Sequence, residues 1–129
     1  MHKQKIQFSI VIPTFNPDFK IFETLQSIKK SILDFSNNNE IEYEIIIIND
    51  GGKKLNNEIQ DIVKNINIFN LKKNKGVGYA REIGSRIAKH EIIFYIDSDI
   101  IIEPNTLFVL YKEHQNLKDA GSVGALQSY

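Results

Sequence analysis

Ile92-Ile93-Phe94-Tyr95-Ile96-Asp97-Ser98-Asp99 is the stretch on which the fold turns. Five consecutive β-branched or aromatic residues without polar alternation suit a strand buried on both faces, and two carboxylates follow where that strand ends. Residues 8–12, 43–48 and 66–69 have the same character. Helical spacing fills the gaps between them: Ile21, Leu25, Ile28 and Ile32 share one face, Leu55, Ile59 and Ile62 a second, and Ala80, Gly84, Ile87 and Ala88 a third. The alternation predicts an α/β layer fold with a mainly parallel sheet, right-handed crossovers and functional loops at the carboxyl ends of the strands. A last helix is predicted to start near Pro104, to turn Leu107, Leu110 and Tyr111 inward, and to end before Gly121. Residues 122–126 read as the start of another strand.

Length and composition narrow the function classes. A chain of 129 residues is predicted to form one domain that buries roughly two thirds of its unfolded surface. Sixteen basic residues balance sixteen acidic ones, so no overall charge argues for nucleic acid or membrane binding. The absence of cysteine excludes disulfides, thiolate zinc sites, iron-sulfur clusters and cysteine nucleophiles, and fits a reducing cytoplasm. Met1-His2-Lys3-Gln4-Lys5 leads into an apolar stretch broken at Pro13, with no small-residue cleavage site, which does not read as a signal peptide. No apolar run approaches the ~18 residues of a membrane span. A cytoplasmic location is therefore expected, with any membrane contact peripheral and at the inner face.

Each predicted strand end carries a distinctive loop. Asp97-Ser98-Asp99 offers hard oxygen ligands of the kind that suit Mg2+ or Mn2+, ions that bind through few carboxylates plus substrate phosphates. Pro13-Thr14-Phe15-Asn16-Pro17 combines a strand stop with an aromatic face on which a base can stack, or which can equally tuck into the core. In Asn49-Asp50-Gly51-Gly52 the aspartate can accept hydrogen bonds from a base or ribose, and the glycines can admit a ligand to the backbone; Asp-Gly is also an ordinary turn. Asn74-Lys75-Gly76-Val77-Gly78-Tyr79-Ala80-Arg81 feeds a helix and can bring backbone amides, Lys75 and Arg81 near a phosphate, although Arg81 can equally serve a structural salt bridge.

In order along the chain, Phe8-Ser9-Ile10-Val11-Ile12-Pro13-Thr14-Phe15-Asn16, Ile48-Asn49-Asp50-Gly51, Asn74-Lys75-Gly76 with Ala80-Arg81, and Ile96-Asp97-Ser98-Asp99 resemble the family 2 glycosyltransferases of the GT-A fold, from about Phe8 to the end. The resemblance implies a Rossmann-like three-layer sandwich, residues 1–129 forming the donor half that binds a nucleotide-sugar, most simply a UDP-sugar. It implies that Phe15 contacts the base, Asp50 bonds the uracil-like edge, Asp97 lies near ribose or metal, Asp99 is the direct metal ligand, and Arg81 or Lys75 approaches the donor. Pro13, Thr14, Asn16, Gly51, Gly76 and Ser98 complete the implied nucleotide-sugar site. Two departures stand out: Asn49 replaces the first acid of the second loop, and Gly52 replaces its serine. The acceptor-side carboxylate of inverting members is expected to lie outside this chain, because neither Glu103 nor Glu113 matches that motif.

Two other readings compete. One is a non-catalytic nucleotide-binding or interaction module on the same scaffold. The other is a phosphatase of the haloacid dehalogenase type, which also places Asp-x-Asp after an apolar strand but requires a threonine or similar group soon afterwards, where Ile100-Ile101-Ile102 stands here. A cut sheet edge at 122–126 would favour a homodimer.

Overall fold

The computed structural model describes residues 5–55, 57–119 and 126–127. Strands and helices alternate as β1 (Ile6–Thr14), α1 (Lys20–Ser36), β2 (Ile41–Asn49), a single 3-10 turn (Asn57–Asp61), β3 (Ile66–Asn70), α2 (Val77–Ile87), β4 (Ile92–Tyr95), α3 (Thr106–Asp119) and a two-residue β5 (Leu126–Gln127). The sheet order is β3-β2-β1-β4-β5, and every pairing is parallel. Of the segment expected to open a fifth strand, residues 122–125 lie outside the described residues, and so does any bearing on the sheet-edge homodimer.

The lack of alternation in the strand sequences has a direct cause. Phe8, Ile10 and Ile12 of β1, with Ile45, Ile47 and Phe94, meet Ile21, Leu25, Ile28 and Phe35 of α1 and Leu107 of α3. Val11, Ile46 and Ile48 point the other way, onto Ala80 of α2. In β1 and β2 both faces are dry and nearly every buried position is apolar, with Ser9 and Glu44 among the exceptions. The edge strand β3 buries only Ile66 and exposes Asn67, Phe69 and Asn70, so the expectation of burial on both faces fails there. Phe8 anchors the larger core, its ring stacked on Phe35 at 5.5 Å and tilted against Phe94 at 5.3 Å.

The order of the strands locates a crevice. From β1 the chain steps outward to β2 and β3, then returns across β1 to β4, so α1, which leaves β1, and α2, which feeds β4, pack on opposite faces of the sheet. Ligands of open α/β sheets bind where the order reverses in this way. Pro13 sharpens the opening. Its neighbour pattern in β1 places it on the side that bonds β4, where Val11 accepts the Ile96 N–H at 3.0 Å. Proline has no N–H to continue that ladder, and the paired register with β4 stops at Val11 and Tyr95. Beyond it, Asp97-Ser98-Asp99 diverges from β1.

Three further expectations need correction. The helix expected from Leu55, Ile59 and Ile62 is one 3-10 turn, in which Ile59 alone is fully buried. Side-chain bonds fix the backbone as far as Leu55, and Asn65 takes a left-handed φ of 64° before β3, leaving too few residues for a nucleated α-helix. In α2 the inward positions are Ala80 and Gly84 with Ile83 partly buried, whereas Ile87 is exposed. Finally, β3-α2-β4 and β4-α3-β5 advance across the sheet in the same direction with their helices on opposite faces, so they have opposite hands. Uniform right-handed crossovers therefore fail for one of them. The aromatic contact of Phe35 with Phe108 and Tyr111 holds α3 on the α1 face.

Gly84 sets how closely α2 lies on the sheet. A Cβ there would overlap Cγ1 of Val11 and sit 3.2 Å from its Cγ2, and a β-branched residue in the central strand has little rotamer freedom to yield. Gly84→Ala is expected to lower stability in urea denaturation by about 1–2 kcal/mol, overpacking outweighing the gain in helix propensity of roughly 1 kcal/mol. A double-mutant cycle with Val11→Ala should recover part of that loss, because the second change removes the colliding methyls.

Candidate functional site

The carboxyl ends of β1, β2 and β4 and the amino end of α2 surround one pocket of about 650 Å3. The first loop contributes Pro13, Thr14, Phe15 and Asn16, the second Asp50, the third Asn74, Gly76 and Arg81, and the fourth Asp97, Ser98 and Asp99. Ten of the twelve residues singled out from the sequence thus line a single cavity; Gly51 and Lys75 do not. Three wall positions escaped the sequence reading: Asp18 just before α1, and Lys20 and Ile21 in its first turn. Their only sequence signal is that each flanks a loop already singled out.

Phe15 is 48% exposed and lies at the cavity rather than in the core. Thr14 is buried, and its Oγ1 has no hydrogen-bond partner; the same is true of Arg81 Nε. Both belong to pocket-lining residues, and buried polar atoms are seldom left unpaired. Arg81 reaches Asp97 through Nη2, 3.1 Å from Oδ1, a half-exposed pair that leaves the other Asp97 oxygen uncommitted. Asp99 is exposed at the pocket wall. No group of three or more His, Asp or Glu side chains suited to a metal occurs among the described residues. Two carboxylates can still hold Mg2+ or Mn2+ if phosphate oxygens and water complete the shell.

Asp50 plays a larger local part than its loop position suggests. Only 3% exposed, it accepts the Lys75 N–H on Oδ1 and the Gly76 N–H on Oδ2, each at 2.7 Å. A single carboxylate thereby binds the backbone that opens α2, the place where a helix favours negative charge. The expectation that these amides would face a phosphate is corrected, because Asp50 already occupies them. Gly51 is corrected in the same way. At its φ of 84° a Cβ would lie 2.7 Å from the Asn74 nitrogen, so the glycine admits the neighbouring loop and not a ligand. Lys75 presents its amide to Asp50 while its side chain is exposed outside the cavity wall.

Both departures in the second loop have partners elsewhere. Asn49 Nδ2 donates to the Lys53 carbonyl at 2.7 Å and to Asn70 Oδ1 at 2.8 Å, which a carboxylate cannot do. Asn16 Oδ1 accepts the Lys53 N–H at 2.8 Å and fills the space that a Cβ on Gly52 would need. The first and second loops are locked together by side chains at Asn16, Asn49 and Asn70.

Sequence comparison matches residues 9–129 to the model of glycosyl transferase family 2. Among curated relatives, the poly(ribitol-phosphate) beta-N-acetylglucosaminyltransferase TarP of Staphylococcus aureus is 31% identical over 108 residues, covering 80% of this chain and 31% of TarP. The glycosyltransferase GlyG of Streptococcus pneumoniae is 29% identical over 119 residues, covering 89% of this chain and 37% of GlyG. The crystal structure of S. aureus TarS 1–349 superposes with a TM-score of 0.66 at 25% identity, covering 85% of this chain and 33% of that one. TarS 1–349 in complex with UDP-GlcNAc gives a TM-score of 0.62 over the same share of this chain. The chain spans about a third of the length of these relatives.

Asp50→Ala is expected to destabilise the fold by about 1–2 kcal/mol in chemical denaturation, since the part-buried Lys75 amide loses a charged acceptor while Gly76 keeps Asn74 Oδ1. Hydrogen exchange should accelerate at Lys75 and Gly76, while amides of β2 shift only with the change in global stability.

Proposed function

The chain belongs to glycosyl transferase family 2, and on that premise we propose that it forms the donor-binding half of an enzyme that transfers a sugar from a UDP-sugar. The observation that carries the reading is the convergence of four loops on one pocket at the strand-order reversal, the place where open α/β sheets bind a ligand. TarS, whose structure is known with UDP-GlcNAc, supports a nucleotide-sugar as that ligand.

In this reading the exposed ring of Phe15 stacks on the base. Asp50 keeps lone pairs free beyond its two amide bonds, and these accept the imide N–H of uracil. Arg81 holds one oxygen of Asp97 and so turns the other toward the cavity. That oxygen and the Asp99 carboxylate would hold Mg2+ or Mn2+, and the charge supplied there would offset that of a diphosphate leaving group. Glu103 and Glu113 are exposed and outside the pocket wall, so neither is assigned as the base that activates an acceptor. The hydrophobic Ile100-Ile101-Ile102 after the acidic loop and the family match both stand against the phosphatase alternative. Among the described residues no helix is long and apolar enough to cross a membrane. A peripheral position at the inner membrane face remains part of the proposal.

Titration calorimetry with UDP tests the reading. Affinity is expected to be at least about tenfold higher with Mn2+ than with a chelator, and Asp99→Asn should remove most of that difference, as loss of a charged contact worth about 1.5–3 kcal/mol implies. Equal affinity with and without metal would sink the assignment of Asp97 and Asp99.

A further inference from the structure

Helix α1 buries three hydroxyls on its apolar face, Thr24, Ser27 and Ser31. Buried hydroxyls in a helix facing a sheet usually bond back to their own helix. Here they reach forward to a distant segment. Thr24 Oγ1 donates to the Ser98 carbonyl at 2.8 Å, Ser27 Oγ accepts the Ile102 N–H at 3.1 Å, and Ser31 Oγ accepts the Leu107 N–H at 3.1 Å. Ser27 gives its own proton to the Thr24 carbonyl at 2.7 Å. The three rungs fasten the chain from the acidic loop to the first turn of α3 along one side of α1.

Thr24 holds the central residue of Asp97-Ser98-Asp99. Beyond the β-ladder, that loop has two side-chain anchors from elsewhere in the fold: Arg81 on the Asp97 carboxylate and Thr24 on the Ser98 backbone. Asp99 is exposed, and the backbone sets the point from which its side chain departs. The Thr24 bond is fully buried on its donor side, whereas the Arg81 pair is partly open to solvent. We infer that Thr24 is a positioning residue for the metal and diphosphate site, setting the backbone from which Asp97 and Asp99 project, while Ser27 and Ser31 secure the segment behind it. This inference rests on the donor-site reading above. It adds a residue that touches neither nucleotide nor metal.

The test compares Thr24→Val, which keeps the shape and removes the donor, with Thr24→Ser, which restores the hydroxyl, and with Ser31→Ala as a rung remote from the acids. UDP affinity is measured for each with Mn2+ and with a chelator. Thr24→Val is expected to cut the metal-dependent gain by about tenfold, in the range seen when groups behind a metal ligand are removed, and to leave the chelator affinity unchanged. Thr24→Ser should recover the gain. Ser31→Ala should lower thermal stability without altering the ratio. A Thr24→Val protein that is less stable yet keeps the full metal-dependent gain overturns the inference. Amide spectra of ligand-free protein separate the two levels of failure. If wild type shows no metal-dependent gain, the donor-site reading fails, and unmoved Asp97, Ser98 and Asp99 amides in Thr24→Val would reject the positioning role as well.

Discussion

Hydrogen bonding along both edges of β1, and the point at which it stops, organises this molecule. Nine residues of β1 pair with β2, and four pair with β4. Every backbone group of a central strand needs a partner on one side or the other. Thr14 closes the β2 edge by accepting the Asp50 N–H at 2.7 Å, which draws the second loop over the end of the first. On the β4 edge Pro13 has nothing to donate. The two neighbours of β1 are therefore treated differently at the same height, one loop held in and the other released, and the pocket lies between them.

The fold was legible because its central strands β1 and β2 are buried on both faces, which writes long apolar runs into the sequence. Loop positions followed from strand ends, and ten of twelve site residues reached the same cavity for that reason. What stayed hidden was the direction of polar bonds. Asp50 reads as a ligand contact or a turn residue, and only its distances to Lys75 and Gly76 reveal that it also clamps the start of α2. Thr24, Ser27 and Ser31 are unremarked in a helical pattern, since small hydroxyls fit an apolar face without announcing a partner 74 to 76 residues away. The missing helix between β2 and β3 has a similar origin. Its apolar spacing was right, but the residues before it were already committed to Asn70.

The second loop is held by side chains that depend on one another. An amide at Asn49 serves two acceptors, and the side chain of Asn16 stands where a larger residue than Gly52 would place its own. Four positions on three segments thus form one unit. Substituting one toward the commoner family residue without the others would strand a carbonyl or create a collision.

The hydroxyls of α1 also bear on how the chain assembles. A β1-α1-β2 unit can collapse early, since its strands are adjacent in sequence and in the sheet. Its helix would then carry an unfinished polar seam that only the arrival of residues 98 to 107 completes. The polar groups of α1 and the backbone from the acidic loop to α3 thereby depend on one another for their partners.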